Sequence, residues 1–307
     1  ENIFQLEKLP KNLAIIGGGP IGLEIGQAFK RFGSHVTIIQ RSSHLLPKED
    51  KDISSILQKE LEQEGITFYF NTKPTKITKD KQLILTNNKK IKFDALFVSI
   101  GRELNLDLNL DKANIQTDTN GRLMVDDYLR TTNKRVLVCG DIAGGPMFTH
   151  TAELHAGTII NNFFSPFPFK KKVSYDNLSW VTYTDPEIAT FGLNEQHIKQ
   201  RGIAYKKITQ DFADDDRAIT DSTTFGKLIM YIDKNNKILG GSMIARNAGE
   251  LFQELVLAKS AGLKINVLFN KIYPYPTATR INKKLISHVF AEKLTTRAKK
   301  MLRLLYH

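Results

Sequence analysis

Glycine recurs at the first, third and sixth places of Gly17-Gly18-Gly19-Pro20-Ile21-Gly22, a spacing with a definite chemical use. Without side chains, Gly17 permits a tight turn, Gly19 lets backbone approach a pyrophosphate, and Gly22 lets the following helix pack closely on the preceding strand. Pro20 and Ile21 stand in the first turn of that helix, where free N–H groups and the positive end of the helix dipole favour phosphate. About 20 residues on, where a site for NAD places an Asp or Glu against the ribose hydroxyls, the chain has Gln40, Arg41, Ser42 and Ser43. A carboxylate there would repel a 2′-phosphate. Arg41 can pair with one and Ser42 can add a neutral hydrogen bond, so these residues favour NADPH over NADH. The alternatives are a surface arginine with relaxed nucleotide choice and a glycine turn without a ligand.

The elements that must position this turn are present. The apolar run Leu13-Ala14-Ile15-Ile16 predicts a strand, the pattern through Phe32 a helix, and Val36-Thr37-Ile38-Ile39 a second strand. Ile53, Ile56, Leu57 and Leu61 predict a helix from about Asp50 to Glu64, and Ile66 to Phe70 alternates as a strand. Such α/β alternation implies a mostly parallel sheet with both faces covered. From Thr75 the strands shorten, with candidates at Gln82 to Thr86, Ala95 to Ile100 and Val136 to Cys139, and Ser165 to Lys172 reads as a linker. Beyond it, strands at Leu178 to Tyr183, Ala204 to Gln210, Lys227 to Ile232 and Lys237 to Ile244, with helices from Ala248 to Ala261 and from Ile281 onward, form an α+β unit.

At 307 residues the chain has room for two ordinary domains or three small ones. The lack of a long apolar run or a signal-peptide pattern points to a cytoplasmic protein. The excess of 44 Lys and Arg over 32 Asp and Glu, a net charge of +12, fits nucleic acid, acidic lipid or an anionic cofactor. The basic residues are scattered in short groups such as Lys89-Lys90 and Lys170-Lys171-Lys172, without interleaved aromatics, so a solvated surface is expected and no nucleic-acid partner. The single cysteine, Cys139, excludes a disulfide or CxxC pair made by these residues alone.

The glycine fingerprint is followed, in order, by Asp94-Ala95-Leu96-Phe97-Val98-Ser99-Ile100-Gly101-Arg102, Arg135-Val136-Leu137-Val138-Cys139-Gly140-Asp141, Thr184-Asp185-Pro186-Glu187, Asp216-Arg217-Ala218 and Pro274-Tyr275-Pro276-Thr277. This series resembles the pyridine nucleotide-disulfide oxidoreductases, the family of glutathione reductase, dihydrolipoamide dehydrogenase and mercuric reductase. The resemblance implies an α/β fold: a Rossmann-type NAD(P)-binding domain (1–94), the second segment of a FAD domain (95–167) and a C-terminal α+β dimerisation domain (168–307). It implies NADP or NAD and FAD as cofactors, and a homodimer formed through the C-terminal domain. Gly101, Arg102, Gly140, Asp141, Phe148 and Thr149 would belong to the flavin site. There Asp141 would accept a bond from a ribityl hydroxyl, Gly140 would leave room, and a helix starting near Phe148-Thr149 would aim N–H groups at the flavin pyrimidine edge. Gly140-Asp141 can also be read as a plain Asx turn. Glu24 matches a family glutamate near the nicotinamide, and an acid there also suits a helix N-terminus. His150 and His155 receive no role.

Residues 1–307 resemble the family's C-terminal two-thirds. The earlier GxGxxG segment for FAD and its redox cysteine pair are expected on a missing N-terminal FAD segment, and Asn2 to Leu6 looks like the connection leaving it. A histidine paired with a glutamate serves as acid and base for thiol substrates in the disulfide reductases, but Tyr275 and Arg280 hold those places here. With an ordinary pKa near ~10, tyrosine is a poor base at neutral pH, which argues against glutathione-like or lipoamide-like turnover. Mercuric reductases resemble this chain at Tyr275, yet their metal delivery also uses a C-terminal cysteine pair, which is not found here. Tyr275 is expected to contact substrate or an interface, or only to pack in its turn. The basic tail around Lys299 to Leu305 is expected to be an ordinary exposed amphipathic helix rather than a membrane contact. The function implied is hydride transfer from NAD(P)H to FAD and on to an acceptor. The alternative is a noncatalytic nucleotide-binding and dimerising fragment without flavin.

Overall fold

The structure, a computed structural model, describes residues 2–166, 168–292 and 295–306. Residues 1–100 and 179–307 form one compact unit and residues 101–178 a second.

The first unit opens with β1 (Asn12–Ile16), α1 (Pro20–Arg31), β2 (His35–Ile39), α2 (Lys51–Gln63) and β3 (Thr67–Tyr69). A small antiparallel sheet follows, β4 (Pro74–Ile77), β5 (Gln82–Leu85) and β6 (Lys90–Lys92), before the chain returns as β7 (Ala95–Val98). The parallel sheet has the order β3-β2-β1-β7. Its residues point alternately to two cores. Leu13, Ile15, Val36 and Ile38 pack with Leu23 of α1 and Ile53, Leu57 and Leu61 of α2, whereas Ala14 and Ile39 pack with Leu83, Leu85, Ile91 and Phe93. Covering both faces explains why Leu13 to Ile16 are apolar without a break. Each enclosed Leu or Ile contributes about 1.5–3 kcal/mol. Because β7 bonds along β1, this sheet runs past the boundary expected after residue 94.

In the second unit the one α-helix among the described residues is α3 (Thr149–Phe164), with 3-10 turns at Leu110–Ala113 and Asp141–Ala143. The strand expected at Val136 to Cys139 is not formed. The segment makes an isolated bridge, Leu137 to Arg130, and its neighbour at Asp126 to Leu129 is a tight turn that offers no ladder to continue. Nor is the expected linker loose. Asn162 of α3 holds the Lys171 backbone on both sides, accepting from its N–H and donating to its carbonyl at 2.7 Å each. Phe167, within that stretch, lies outside the described residues.

The rest of the first unit runs β8 (Ser179–Thr182), β9 (Glu187–Gly192), α4 (Glu195–Gln200), β10 (Lys206–Asp211), α5 (Asp216–Thr220), β11 (Lys227–Ile232) and β12 (Ile238–Ala245). Five helices follow: α6 (Ala248–Leu251), α7 (Gln253–Ser260), α8 (Ile265–Asn270), α9 (Arg280–Ala291) and α10 (Thr296–Tyr306). The single helix expected from Ala248 to Ala261 is divided at Phe252, which turns inward onto Phe191. The strands form an antiparallel sheet, β10-β11-β12-β9-β8. Leu228, Met230, Ile232 and Met243 share a core with Leu255, Ile265, Ile281 and Leu285, while Ile229, Tyr231 and Ile244 on the other face join the core of α2. Helix α2 therefore serves two sheets. A polar seam ties the loop before it to the antiparallel sheet: Glu49 accepts from Trp180 Nε1 (2.7 Å) and Thr190 Oγ1 (2.6 Å), and Asp50 accepts from Ser242 Oγ (2.9 Å). Burial pushes the Glu49 carboxyl up.

Candidate functional site

The chain leaves β1 at Gly17, whose φ of +111° lies in a region side chains avoid, and whose N–H donates to Ile39 O at 2.9 Å. A Cβ on Gly17 would stand 2.5 Å from Ser99 O, and one on Gly22 would collide with the Gly17 carbonyl. These two glycines are demanded by the protein's own packing. Gly19 is not. Its backbone is extended (φ −85°, ψ 179°), and a Cβ there would meet nothing within 4 Å. Gly19 is also the N-cap of α1, with Pro20 in the first turn and no side chain capping the helix. Ile21, on the same turn, is exposed. The open side of the turn thus presents backbone without side-chain cover at the positive end of a helix, the arrangement that receives phosphate.

Gln40 turns inward. It is buried, Oε1 accepting from Gly18 N–H at 3.1 Å and Nε2 donating to His44 O at 3.3 Å, so it braces the glycine turn from beneath. Arg41 beside it is exposed and makes no ion pair or hydrogen bond among the described residues. Ser42 is half-buried, and its carbonyl accepts from Asn71 N–H. Farther along α1, Glu24 Oε1 accepts from Tyr183 N–H at 2.8 Å. Burial raises its pKa, against the opposing pull of that bond.

The second unit holds a cleft of about 360 Å³ lined by Arg102, Gly140, Asp141, Met147, Phe148, Thr149 and Ala152. Gly101, at φ +148°, precedes Arg102 but is not among the lining residues. Arg102 Nη1 donates to Asp141 Oδ2 (3.2 Å) and Met147 O (2.9 Å), spanning the cleft edge. The helix expected from Phe148-Thr149 starts there, with Phe148 as an extended N-cap and no side-chain cap. The second-unit residues singled out in the sequence, Gly101 apart, are therefore brought together. His155 was not among them, yet it is fully enclosed and its Nδ1 accepts from Gly140 N–H at 3.1 Å. That bond leaves the ring proton on Nε2, which lies 2.7 Å from Tyr175 Oη. Burial lowers the His155 pKa and keeps the ring neutral. Its sequence signal is slight: Thr151, His155 and Asn162 place three buried polar residues on one face of α3.

Residues 1–156 match the pyridine nucleotide-disulphide oxidoreductase family, and residues 178–285 match the dimerisation domain of that family. The chain belongs to the pyridine nucleotide-disulphide oxidoreductases. A mercuric reductase of Bacillus cereus is 34% identical over 284 residues, covering 90% of this chain and 45% of that protein. A dihydrolipoyl dehydrogenase of Buchnera aphidicola subsp. Acyrthosiphon pisum is 36% identical over 290 residues, covering 89% and 59%. The HOCl-induced flavoprotein disulfide reductase RclA of Escherichia coli, solved as a Cu(II) complex, has 26% identity and a TM-score of 0.84 over 94% of this chain and 66% of that one. The chain spans about half the length of the curated relatives it matches.

Tyr275 lies on the connection between α8 and α9 and is exposed. The Arg280 guanidinium lies 5.2 Å from the Tyr275 ring centroid. Next to it, Glu254 accepts from Tyr273 Oη and Asn282 Nδ2, both at 2.7 Å, and from Lys271. Arg280 thus sets a cation over the aromatic face of Tyr275.

Proposed function

We propose that this chain supplies the NAD(P)H-binding, partial flavin-binding and dimerisation parts of a flavin-dependent oxidoreductase, with NADPH as electron donor. Gly19 carries this reading, being a glycine that nothing in the protein's own packing requires, at an uncapped helix end. Its absent side chain is explained by a pyrophosphate drawn close to the backbone. Gly17 and Gly22 shape the turn, Gln40 braces it, and Pro20 and Ile21 start the helix that meets the phosphates. Unpaired Arg41 pairs with a 2′-phosphate and Ser42 borders it.

The cleft of the second unit suits one part of FAD. Asp141 keeps an oxygen for a ribityl hydroxyl while Arg102 holds the other, and Phe148 and Thr149 bring the uncapped α3 terminus to an electron-rich edge. When bound, the flavin supplies the electron chemistry, taking hydride from the nicotinamide and passing electrons to an acceptor. Glu24, fixed by the Tyr183 N–H, places a carboxylate near the nicotinamide. Tyr275 contacts the acceptor or the dimer interface. An arginine over a tyrosine is no acid–base pair for thiol exchange, which sets the acceptor apart from glutathione-type and lipoamide-type disulfides. By itself the chain binds nucleotide and dimerises through residues 168–307, and turnover requires the first flavin segment.

Calorimetric titration with NADPH and NADH tests the donor. NADPH should bind more tightly, and Arg41→Ala should weaken NADPH by about tenfold to a hundredfold, the worth of a charge-assisted bond, while leaving NADH unchanged. Equal affinities for both nucleotides in the unmodified chain would remove the NADPH assignment.

A further inference from the structure

Helices α9 and α10 stand next to each other in the chain and use their apolar faces in opposite ways. In α9, Ile281, Leu285, Ile286 and Val289 are buried in the core beneath the antiparallel sheet. In α10, Met301, Leu302, Leu304, Leu305 and Tyr306 are all exposed, Leu304 by 82% and Tyr306 by 79%. At 3.6 residues per turn, Met301, Leu302 and Leu305 fall on one side of α10, with Leu304 flanking them. Lys299, Lys300 and Arg303 fall on the other. Residues 293–307 include no Asp or Glu, so the cations of α10 have no acidic side chain on their own helix.

Against the expectation of a merely exposed helix, we propose that α10 lies on an anionic lipid surface, its apolar side in the boundary between headgroups and acyl chains and Lys299, Lys300 and Arg303 among the headgroup phosphates. Charge decides between the possible occupants. A second copy of α10 would cover the apolar side but set one uncompensated cationic helix against another. An anionic bilayer meets both sides at once, apolar below and negative around. Tyr306, with an apolar ring and a polar hydroxyl, suits the same depth. The 11 described residues of α10 rise about 16 Å, whereas crossing a membrane takes roughly 30 Å of hydrocarbon core. No helix among the described residues is long and apolar enough to do so. The chain's net charge of +12 acts in the same direction.

Flotation of the whole chain with vesicles tests this, using phosphatidylcholine alone and phosphatidylcholine mixed with phosphatidylglycerol. The chain should float with the mixed vesicles at low salt, stay behind with phosphatidylcholine, and be released as salt is raised. Lys299→Gln with Lys300→Gln should weaken binding by about tenfold or more, and Leu304→Glu with Leu305→Glu should abolish it. These side chains are exposed, so circular dichroism and NADPH affinity should be unchanged. Failure to bind mixed vesicles at low salt, equal binding to both lipids, or undiminished binding by the variants would each overturn the proposal. So would a fall in oligomer size on Leu304→Glu with Leu305→Glu in a chain that never binds vesicles, which would assign the face to a second copy.

Discussion

The N–H of Gly140 ends on a histidine ring, and a protonated ring cannot accept it. His155 is enclosed, and burial holds its pKa below the ordinary value of 6.5. Folding therefore favours the neutral form. The stability this contributes is complete above pH 6.5 and is lost as pH falls toward the folded-state value, because the unfolded chain takes up the proton first. Calorimetric melting across pH 8 to about 5 should show an acid-side loss that is absent in His155→Gln. At neutral pH, His155→Ala should cost about 1–3 kcal/mol, the penalty for a buried N–H without a partner. Equal acid-side losses in both proteins would count against this role. Residue identity made Gly17 and Gly22 legible in the sequence, since few other residues serve at such turns. It did not reveal His155, whose role depends on two groups 15 and 20 residues away, or the inward turn of Gln40, which depends on the loop through His44 folding back.

Among elements, the strand, glycine turn and helix at the start of the chain form the most constrained unit. Replacing Gly22 by alanine forces a Cβ into the Gly17 carbonyl, a backbone atom that cannot swing aside. Gly22→Ala should destabilise the chain by about 1–3 kcal/mol in denaturant unfolding, the usual cost of overpacking. A midpoint equal to that of the unmodified chain would show that the helix is not pressed against the strand as described. Elements with a long apolar period, β1, β2, α1 and α2, could be read from the sequence because burial imposed the period. The edge strands β4 and β6 could not, as their lysines follow solvent rather than a core. The run Val136 to Cys139 has strand composition but lacks a continuous partner, and composition cannot supply one.

For the whole molecule, the order of motifs did not announce the grouping of residues 1–100 with 179–307. That grouping is made by contacts more than a hundred residues apart. Glu49 reaches Trp180 and Thr190, Asp50 reaches Ser242, and Gln27 exchanges hydrogen bonds with the Asp185 backbone at 2.6 and 2.8 Å. No single polar residue among these announces its partner in the sequence. The central claim is that the β1–α1 turn receives NAD(P)H, and Gly19 allows it to be tested apart from folding. A Cβ at Gly19 meets only open space and the backbone there is extended, so Gly19→Ala should fold with stability within about 1 kcal/mol of the unmodified chain. Titrating NADPH into both proteins is the most direct measurement: the account predicts binding by the unmodified chain and loss of it in the stably folded Gly19→Ala variant. Binding of NADPH by that variant with unchanged affinity would contradict it.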